Sequence, residues 1–465
     1  MVTKGEFTVI VSRKEVIAAA LPLQEHWLPF SNIDLLLPPL EAGLFFCYKK
    51  PESDNNNNNF ASFVDVLKKS LAEVLVPYYA LAGEIVCNSV GEPELLCNNR
   101  GVDFVEAYAN VELRELNLYN PDESIEGKFM PAKNFGVISV QATELKCGGV
   151  VVACNFDHRI ADLYSANLFL VSWTEIAQSK PISLPPCFRR SLLNPKRRRS
   201  IDPIVDSMYM PISKLPPPPT ELQQASDDHI ISRIYYVTND KINAINSLAS
   251  ANGSKRTKFE SFSAYLWKMV AECYGPNNEK VSKMGIAVDG RSRLSQGDNE
   301  KSKQLMRAYF GNVVSIPFGG EKINQLVENP LSWVAEKVHE FLETVVNEDH
   351  FVGLIDWVEM HRPEPALAKI YSNGSNDGPA FLVSSGKGLE TSRVDFGWGK
   401  PVIGSCHFPW GGSAGYVMPM PSPIGNGDWV VYMHLQKKQL DFIEAEASDV
   451  FTPLTFEYLN SIISI

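Results

Sequence analysis

The chain is 465 residues long, with a formal net charge of −11 and a sequence pI near 5.4. That acidity excludes the broad basic face that binding a phosphate backbone requires, so no nucleic-acid partner is expected. With 45% hydrophobic and 21% charged residues the composition is that of a soluble globular protein, and the length calls for two lobes of roughly 200 residues each.

In chain order, "EFTVIVS" (6–12) reads as a strand, and Glu6, Arg13, Lys14 and Glu15 break up any apolar leader, so no secretory signal is expected. "PESDNNNNNF" (51–60) is a low-complexity loop expected to be disordered. Phe60, Phe63, Val64, Leu67, Leu71, Val74 and Leu75 recur at helical spacing. "VISVQATELKCGGVVVACNF" (137–156) reads as two strands turning at Gly148-Gly149, and Ala166, Leu170, Trp173 and Ala177 place a helix after it. Residues 186–225 hold "RRSLLNPKRRRSID" and the four prolines Pro216 to Pro219, which no helix or central strand accepts. They read as a connector between an N-terminal lobe (1–185) and a C-terminal lobe (226–465). The second lobe opens with a strand, "IISRIYYVTND", and two helices, "DKINAINSLASANG" and "FESFSAYLWKMVAECY". No apolar run approaches the ~18 residues of a membrane span, and "SIISI" is not a peroxisomal address. Cysteines 47, 87, 97, 147, 154, 187, 273 and 406 show no C-x-x-C pairing and read as reduced residues of a cytoplasmic protein.

The strand-to-helix junction "CNFDHRIAD" (154–162) carries His158 four residues ahead of Asp162. Such junctions expose side chains at the end of a sheet, where sites are built. A neutral imidazole there has the proton affinity of a general base for an alcohol, with Asp162 holding the turn directly or through a distant arginine. The same four-residue spacing also suits a satisfied structural histidine. If the stretch were helical it would suit half of a metal site, but His26, His229, His339, His350, His361, His407 and His434 show no partner spacing, so no metal is expected. "GGSAG" (411–415) matches a nucleophile elbow, but its flanks "CHFPW" and "YVMPMPSP" lack the helix an elbow needs; Ser413 is expected to be a loop residue.

Beside "HRIAD", the chain contains "PYYALAGE" (77–84), "AVDGRSRL" (287–294), "YFGNVV" (309–314) and "DFGWG" (395–399). Together these resemble the plant BAHD acyltransferases, over nearly the whole chain. "GEPELLCNNRGVDF", "SLLNPKRR", "HFPWGGSAGYVMPMPSP" and "GDWVVYMHLQKK" look like the coniferyl alcohol acyltransferases among them. The resemblance implies an α/β (α+β) fold of two chloramphenicol-acetyltransferase-like lobes, each a mixed sheet flanked by helices, with a tunnel between them. A segment near 375–410 is a candidate for packing with the first lobe. It further implies a monomer with no permanently bound cofactor and no membrane partner, using acetyl-CoA or another acyl-CoA as co-substrate and a small-molecule alcohol as acceptor. His158 matches the family's base and Asp162 the residue that pairs with an arginine, for which Arg291 is the choice and Arg293 the substitute. Asp395, Gly397, Trp398 and Gly399 match a structural loop. Ser254, Lys255, Arg256 and Lys258, ahead of a helix, are expected to receive the CoA phosphates. Asn312, Ser384 and Ser385 are candidate oxyanion donors, and Phe408 and Trp410 candidate acceptor-lining residues. The expected reaction is acetyl transfer to coniferyl alcohol. The alternatives are hydroxycinnamoyl transfer to shikimate or quinate and, from another class, an inactive binding protein of the same fold. Two departures stand out: Leu163 follows Asp162 where the family often has glycine, and "SSGKGLETSRV" lacks the tryptophan that commonly precedes the DFGWG loop.

Overall fold

A computed structural model describes residues 7–51, 59–133, 135–197, 202–215, 229–295, 297, 299–372 and 377–463. The low-complexity loop, apart from its ends, and Pro216 to Pro219 lie outside these residues.

Two mixed sheets organise the chain. The first runs in the order Val9–Ile17, Val102–Ala109, Ile138–Leu145, Val150–Asp157, Glu41–Tyr48, Ile403–His407. Its Val150–Asp157 strand is buried along its whole length between two antiparallel neighbours, which explains why it reads as a continuous apolar run rather than an alternating one. Helices Phe60–Val74 and Leu163–Ala177 cover one face. Phe63 meets Tyr48 at 6.4 Å, Phe169 meets Phe156 at 6.1 Å, and Trp173 Nε1 donates to Ser70 Oγ at 2.9 Å, tying the two helices together. Both helices begin on side-chain caps: Asn59 accepts from the Ser62 amide, and Asp162 from the Ser165 amide.

The second sheet runs Val314–Ser315, Val281–Asp289, Asp377–Ser384, Gly415–Pro421, Trp429–Gln436, Ile230–Val237, Thr452–Pro453, with Phe318–Lys322 also pairing along Val281–Asp289. Strand alternation sorts its two faces. Tyr235, Val237, Val431 and Met433 turn outward onto Phe262, Leu266 and Trp267 of helix Lys258–Glu272. Ile234, Tyr236, Tyr416, Met418 and Tyr432 turn inward and join the apolar cluster of the first sheet.

Two features depart from a simple succession of lobes. Strand Ile403–His407, late in the chain, pairs antiparallel with Glu41–Tyr48 in the first sheet. The described part of the connector is folded rather than extended. It contains a 3-10 turn, Arg190–Leu193, a short helix, Pro203–Met208, and a strand, Tyr209–Pro211, that pairs with Ala366–Ala368. Among the described residues no helix is long and apolar enough to cross a membrane.

Candidate active site

His158 is the first residue beyond the Val150–Asp157 strand, in a turn that ends at Asp162, the N-cap of helix Leu163–Ala177. The stretch is not helical, so His158 and Asp162 do not share a helix face and the metal-pair reading loses its geometry. Leu163 takes the first helical position and packs half-buried against the core. That position has helical backbone, which any side chain adopts, so glycine is not needed there.

The backbone of His158 is held at both ends. Its N–H donates to the Leu40 carbonyl at 2.8 Å, and its carbonyl accepts from Asn312 Nδ2 at 3.0 Å. The imidazole is half-buried; its Nδ1 is buried without a hydrogen-bond partner among the described residues, and its ring meets the Phe408 ring edge-on at 5.9 Å. Asp162 turns away from it. The carboxylate is 3% exposed and makes a two-pronged pair with Arg291, Nη1–Oδ2 2.8 Å and Nη2–Oδ1 3.1 Å, while also accepting from the Val313 amide at 3.1 Å. Arg291, equally buried, spends its remaining donors on Asp289, Ser165 Oγ and the carbonyls of Gly311 and Tyr309. The substitute, Arg293, reaches Ser292 and the Asp289 carbonyl instead. Planar forks of this kind fix orientation as well as charge.

Asn312 departs from its expected role. Its backbone N–H and Nδ2 both donate to Asp34 Oδ1, at 2.7 and 2.9 Å, and Nδ2 also donates to the His158 carbonyl. With every donor committed and the residue wholly buried, it is not free to stabilise an oxyanion; it anchors the histidine's main chain. Asp34, also wholly buried, takes the Ser31 amide and hydroxyl on its other oxygen. Its role is not visible from the sequence. The only local signal is the S-x-x-D spacing of Ser31 and Asp34, which forms the turn.

The remaining expectations separate. Ser384 ends strand Asp377–Ser384, half-buried, and belongs to the surroundings of Tyr416, whose phenol burial pushes well above its ordinary value. Ser385 is exposed, and its hydroxyl accepts from the Lys387 amide at 3.3 Å. Phe408 packs on Tyr416 at 5.1 Å, and its N–H donates to the Tyr432 hydroxyl at 3.1 Å, so the ring beside His158 is fixed from two sides. Trp410 leans on Tyr371 at 4.9 Å and donates to the Ala414 carbonyl at 3.0 Å. Ser413 lies between the strands Ile403–His407 and Gly415–Pro421, with no helix following it.

The basic stretch before helix Lys258–Glu272 is less available than its sequence suggests. The Arg256 side chain is 5% exposed and paired with Glu336. A reciprocal Thr257–Glu260 capping box already fills the helix N-terminus with a carboxylate. Lys255 and Lys258 are the exposed cations there, and Lys258 bonds the Asn239 side chain at 2.8 Å. The DFGWG loop packs on the first lobe's helices: Phe396 meets Trp173 at 4.7 Å, Trp398 meets Phe63 at 4.6 Å, and Asp395 Oδ1 accepts from the amides of Gly397 and Gly399 at 2.8 and 3.0 Å.

The model of the family described as the Transferase family matches residues 7–450. The chain is 27% identical over 441 residues to a shikimate O-hydroxycinnamoyltransferase of Nicotiana tabacum, covering 92% of this chain and 96% of that one. The crystal structure of vinorine synthase superposes with a TM-score of 0.68 at 22% identity, over 97% of this chain and 100% of the other. That of F. graminearum TRI101 with coenzyme A and T-2 mycotoxin gives 0.72 at 14%, over 92% and 100%. A buried aspartate–arginine fork behind a half-buried histidine, on two mixed sheets that share a core, therefore sits in a chain that belongs to the Transferase family, among the plant BAHD acyltransferases.

Proposed function

We propose that this acyl-CoA-dependent acyltransferase moves an acetyl group from acetyl-CoA to a phenylpropanoid alcohol, coniferyl alcohol being the fitting acceptor, with His158 as general base. The observation that carries the base assignment is the division of labour within the turn: Asp162 is spent on Arg291, while the imidazole is only half-buried, with its main chain pinned at both N–H and carbonyl. A ring so held can present one nitrogen to a hydroxyl without losing its orientation.

In this reading the alcohol donates its proton to His158 as its oxygen attacks the thioester carbonyl. The tetrahedral intermediate collapses, the carbon–sulfur bond breaks, and the imidazolium returns the proton to the departing thiolate. No enzyme-bound acyl group forms. The Ser384 hydroxyl is the candidate donor to the oxyanion, since Asn312 is committed elsewhere. Lys255 and Lys258, with Ser254, are the candidate contacts of the CoA phosphates; Arg256 braces the segment through Glu336. Phe408 and Trp410 line the acceptor end, where an aromatic alcohol matches their rings.

A second reading, hydroxycinnamoyl transfer to shikimate or quinate, is favoured by the tobacco relative's name. Against it, the described residues 377–385 contain no cation to meet an acidic acceptor. The test is thiol release from acetyl-CoA with coniferyl alcohol, set against p-coumaroyl-CoA with shikimate. The first pair is expected to be turned over faster, and His158→Ala to slow it by at least about 100-fold with unchanged melting. Faster turnover of the second pair rejects the proposed substrates, and near-normal turnover by His158→Ala rejects the base.

A further inference from the structure

The segment from Asn120 to Pro131 lies across the face of the first sheet away from helix Leu163–Ala177. The Lys128 carbonyl accepts from Gln141 Nε2, the Pro131 carbonyl accepts from Asn155 Nδ2, and Met130 sits over Gly43. It brings Asp122 and Glu126 to His407, the last residue of strand Ile403–His407. One ligand atom from each lies within 4.8 Å of the other two, and His407 Nε2 stands 3.5 Å from Glu126 Oε2. Among the described residues no other three His, Cys, Asp or Glu side chains converge in this way.

We propose that Asp122, Glu126 and His407 bind one divalent cation of the borderline class, Zn²⁺ being the ion their nitrogen and carboxylate donors fit. Convergence alone would not carry this. His407 is 3% exposed, yet among the described residues its Nδ1 has no hydrogen-bond partner and its Nε2 meets only the Glu126 carboxylate at 3.5 Å, while Asp122 Oδ1 is likewise buried and unpartnered. Buried polar atoms left unsatisfied in this way are destabilising. These atoms have almost no accessible surface, so a water at hydrogen-bond distance does not fit beside them, whereas an ion bonded at about 2.0–2.2 Å needs less room. Ligand atoms around such an ion stand about 3.4 Å apart by tetrahedral geometry. The 3.5 Å separation of His407 Nε2 and Glu126 Oε2 already meets this, and the exposed Glu126 side chain has room to adjust. Asp122 is oriented from behind, its Oδ2 accepting from the Ser232 amide at 2.7 Å, the outer bond that metal-binding carboxylates ordinarily have. Histidine spacing carries no sign of this cluster, because its members are drawn from two segments nearly 300 positions apart, 122–126 and 407.

The ion would fasten the 120–131 segment to the strand that the second half of the chain contributes to the first sheet. The test uses the full chain, stripped with a chelator and titrated with ZnCl₂ by calorimetry and with Co²⁺ by visible absorption, next to Glu126→Gln and His407→Gln. One equivalent should bind wild type with visible Co²⁺ bands, and each variant should weaken it by at least about 100-fold, since even an outer partner costs 10–100-fold. Glu126 is exposed, so its variant keeps the comparison should His407→Gln fail to fold. Equal binding by wild type and Glu126→Gln, or no binding by wild type, overturns the site and leaves a plain histidine–carboxylate contact.

Discussion

A carboxylate with 3% of its surface exposed has to find its counter-charge inside the protein, and Asp162 finds it in the equally buried Arg291. Breaking one side of a buried pair leaves the other charge stranded, typically at about 3–5 kcal/mol. Asp162→Ala should therefore lower the melting temperature and activity together, because the same carboxylate also caps the helix and takes the Val313 amide. Unchanged melting would show that the fork holds little. Asn312 gives a cleaner separation. Asn312→Ala frees the His158 carbonyl and strips one donor, Nδ2, from Asp34, which keeps the backbone N–H of residue 312. Misplacement of a catalytic group by about 1 Å can cost about 100-fold in rate, so kcat should fall by roughly 10- to 100-fold with little change in the thioester KM. The pH profile of kcat should keep its form, since the imidazole itself remains. A rise in KM with kcat intact would place Asn312 in substrate binding instead.

At the scale of elements, backbone conformation decides what the DFGWG loop tolerates. Gly397 and Gly399 have φ of +92° and +104°, and an added Cβ at either would meet nothing within 4 Å. Room is not the constraint; the left-handed backbone is, at about 1–2 kcal/mol for an L-residue. Gly397→Ala should thus lower the melting temperature by a few degrees and leave kcat unchanged at temperatures where the protein is folded. A large loss of kcat with normal melting would move the loop into the chemistry. Gly412 is the opposite case: a Cβ there would lie 2.0 Å from the Trp410 ring. Gly412→Ala should displace that ring and, under the proposed acceptor role of Trp410, raise the alcohol's KM more than the thioester's. The same elements show what the sequence could reveal. The helical spacing of Phe63, Val64, Leu67 and Leu71 describes a face that packs as read, and the apolar run 150–157 is the buried central strand it looks like. Asp34, by contrast, lies 278 positions from Asn312, and no local period encodes a bond across that distance.

For the whole molecule, the two sheets were legible as alternating strands and helices, whereas periodicity did not show their exchange, toward which only the family resemblance pointed, with its segment near 375–410. Ile403–His407 has the apolar composition of any core strand, and only its pairing with Glu41–Tyr48 assigns it to the first sheet. The connector's prolines and arginines advertised a spacer, while Arg190 is anchored through Tyr309, Phe310 and Pro29, contacts that only tertiary structure supplies. Two buried histidines, one of them on the face that meets the first half, are where the molecule should sense acid. His350, on helix Glu348–His361, bonds Ser315 Oγ at 2.7 Å, and His434, on the inner face of the second sheet, bonds Ser232 Oγ at 3.0 Å. Burial pushes both imidazoles down to about 4, and the neighbouring Asp202 and Asp122 offset only part of the shift. In the unfolded chain each would titrate near 6.5. Between those values the unfolded chain binds protons that the folded chain refuses, so stability is full above about pH 6.5 and is lost as the pH falls toward 4. The loss is roughly 3 kcal/mol per histidine. Carboxylates add little in the upper part of that window, so between pH 6.5 and 5 the slope of unfolding free energy against pH should report these buried rings together with His407, whose pKa burial also lowers and which adds to the His434 shift. His434→Gln should reduce that slope by close to one proton. Denaturant melts at pH 6.5 and pH 5 of equal midpoint, in wild type, would mean that the rings take up protons without unfolding the chain.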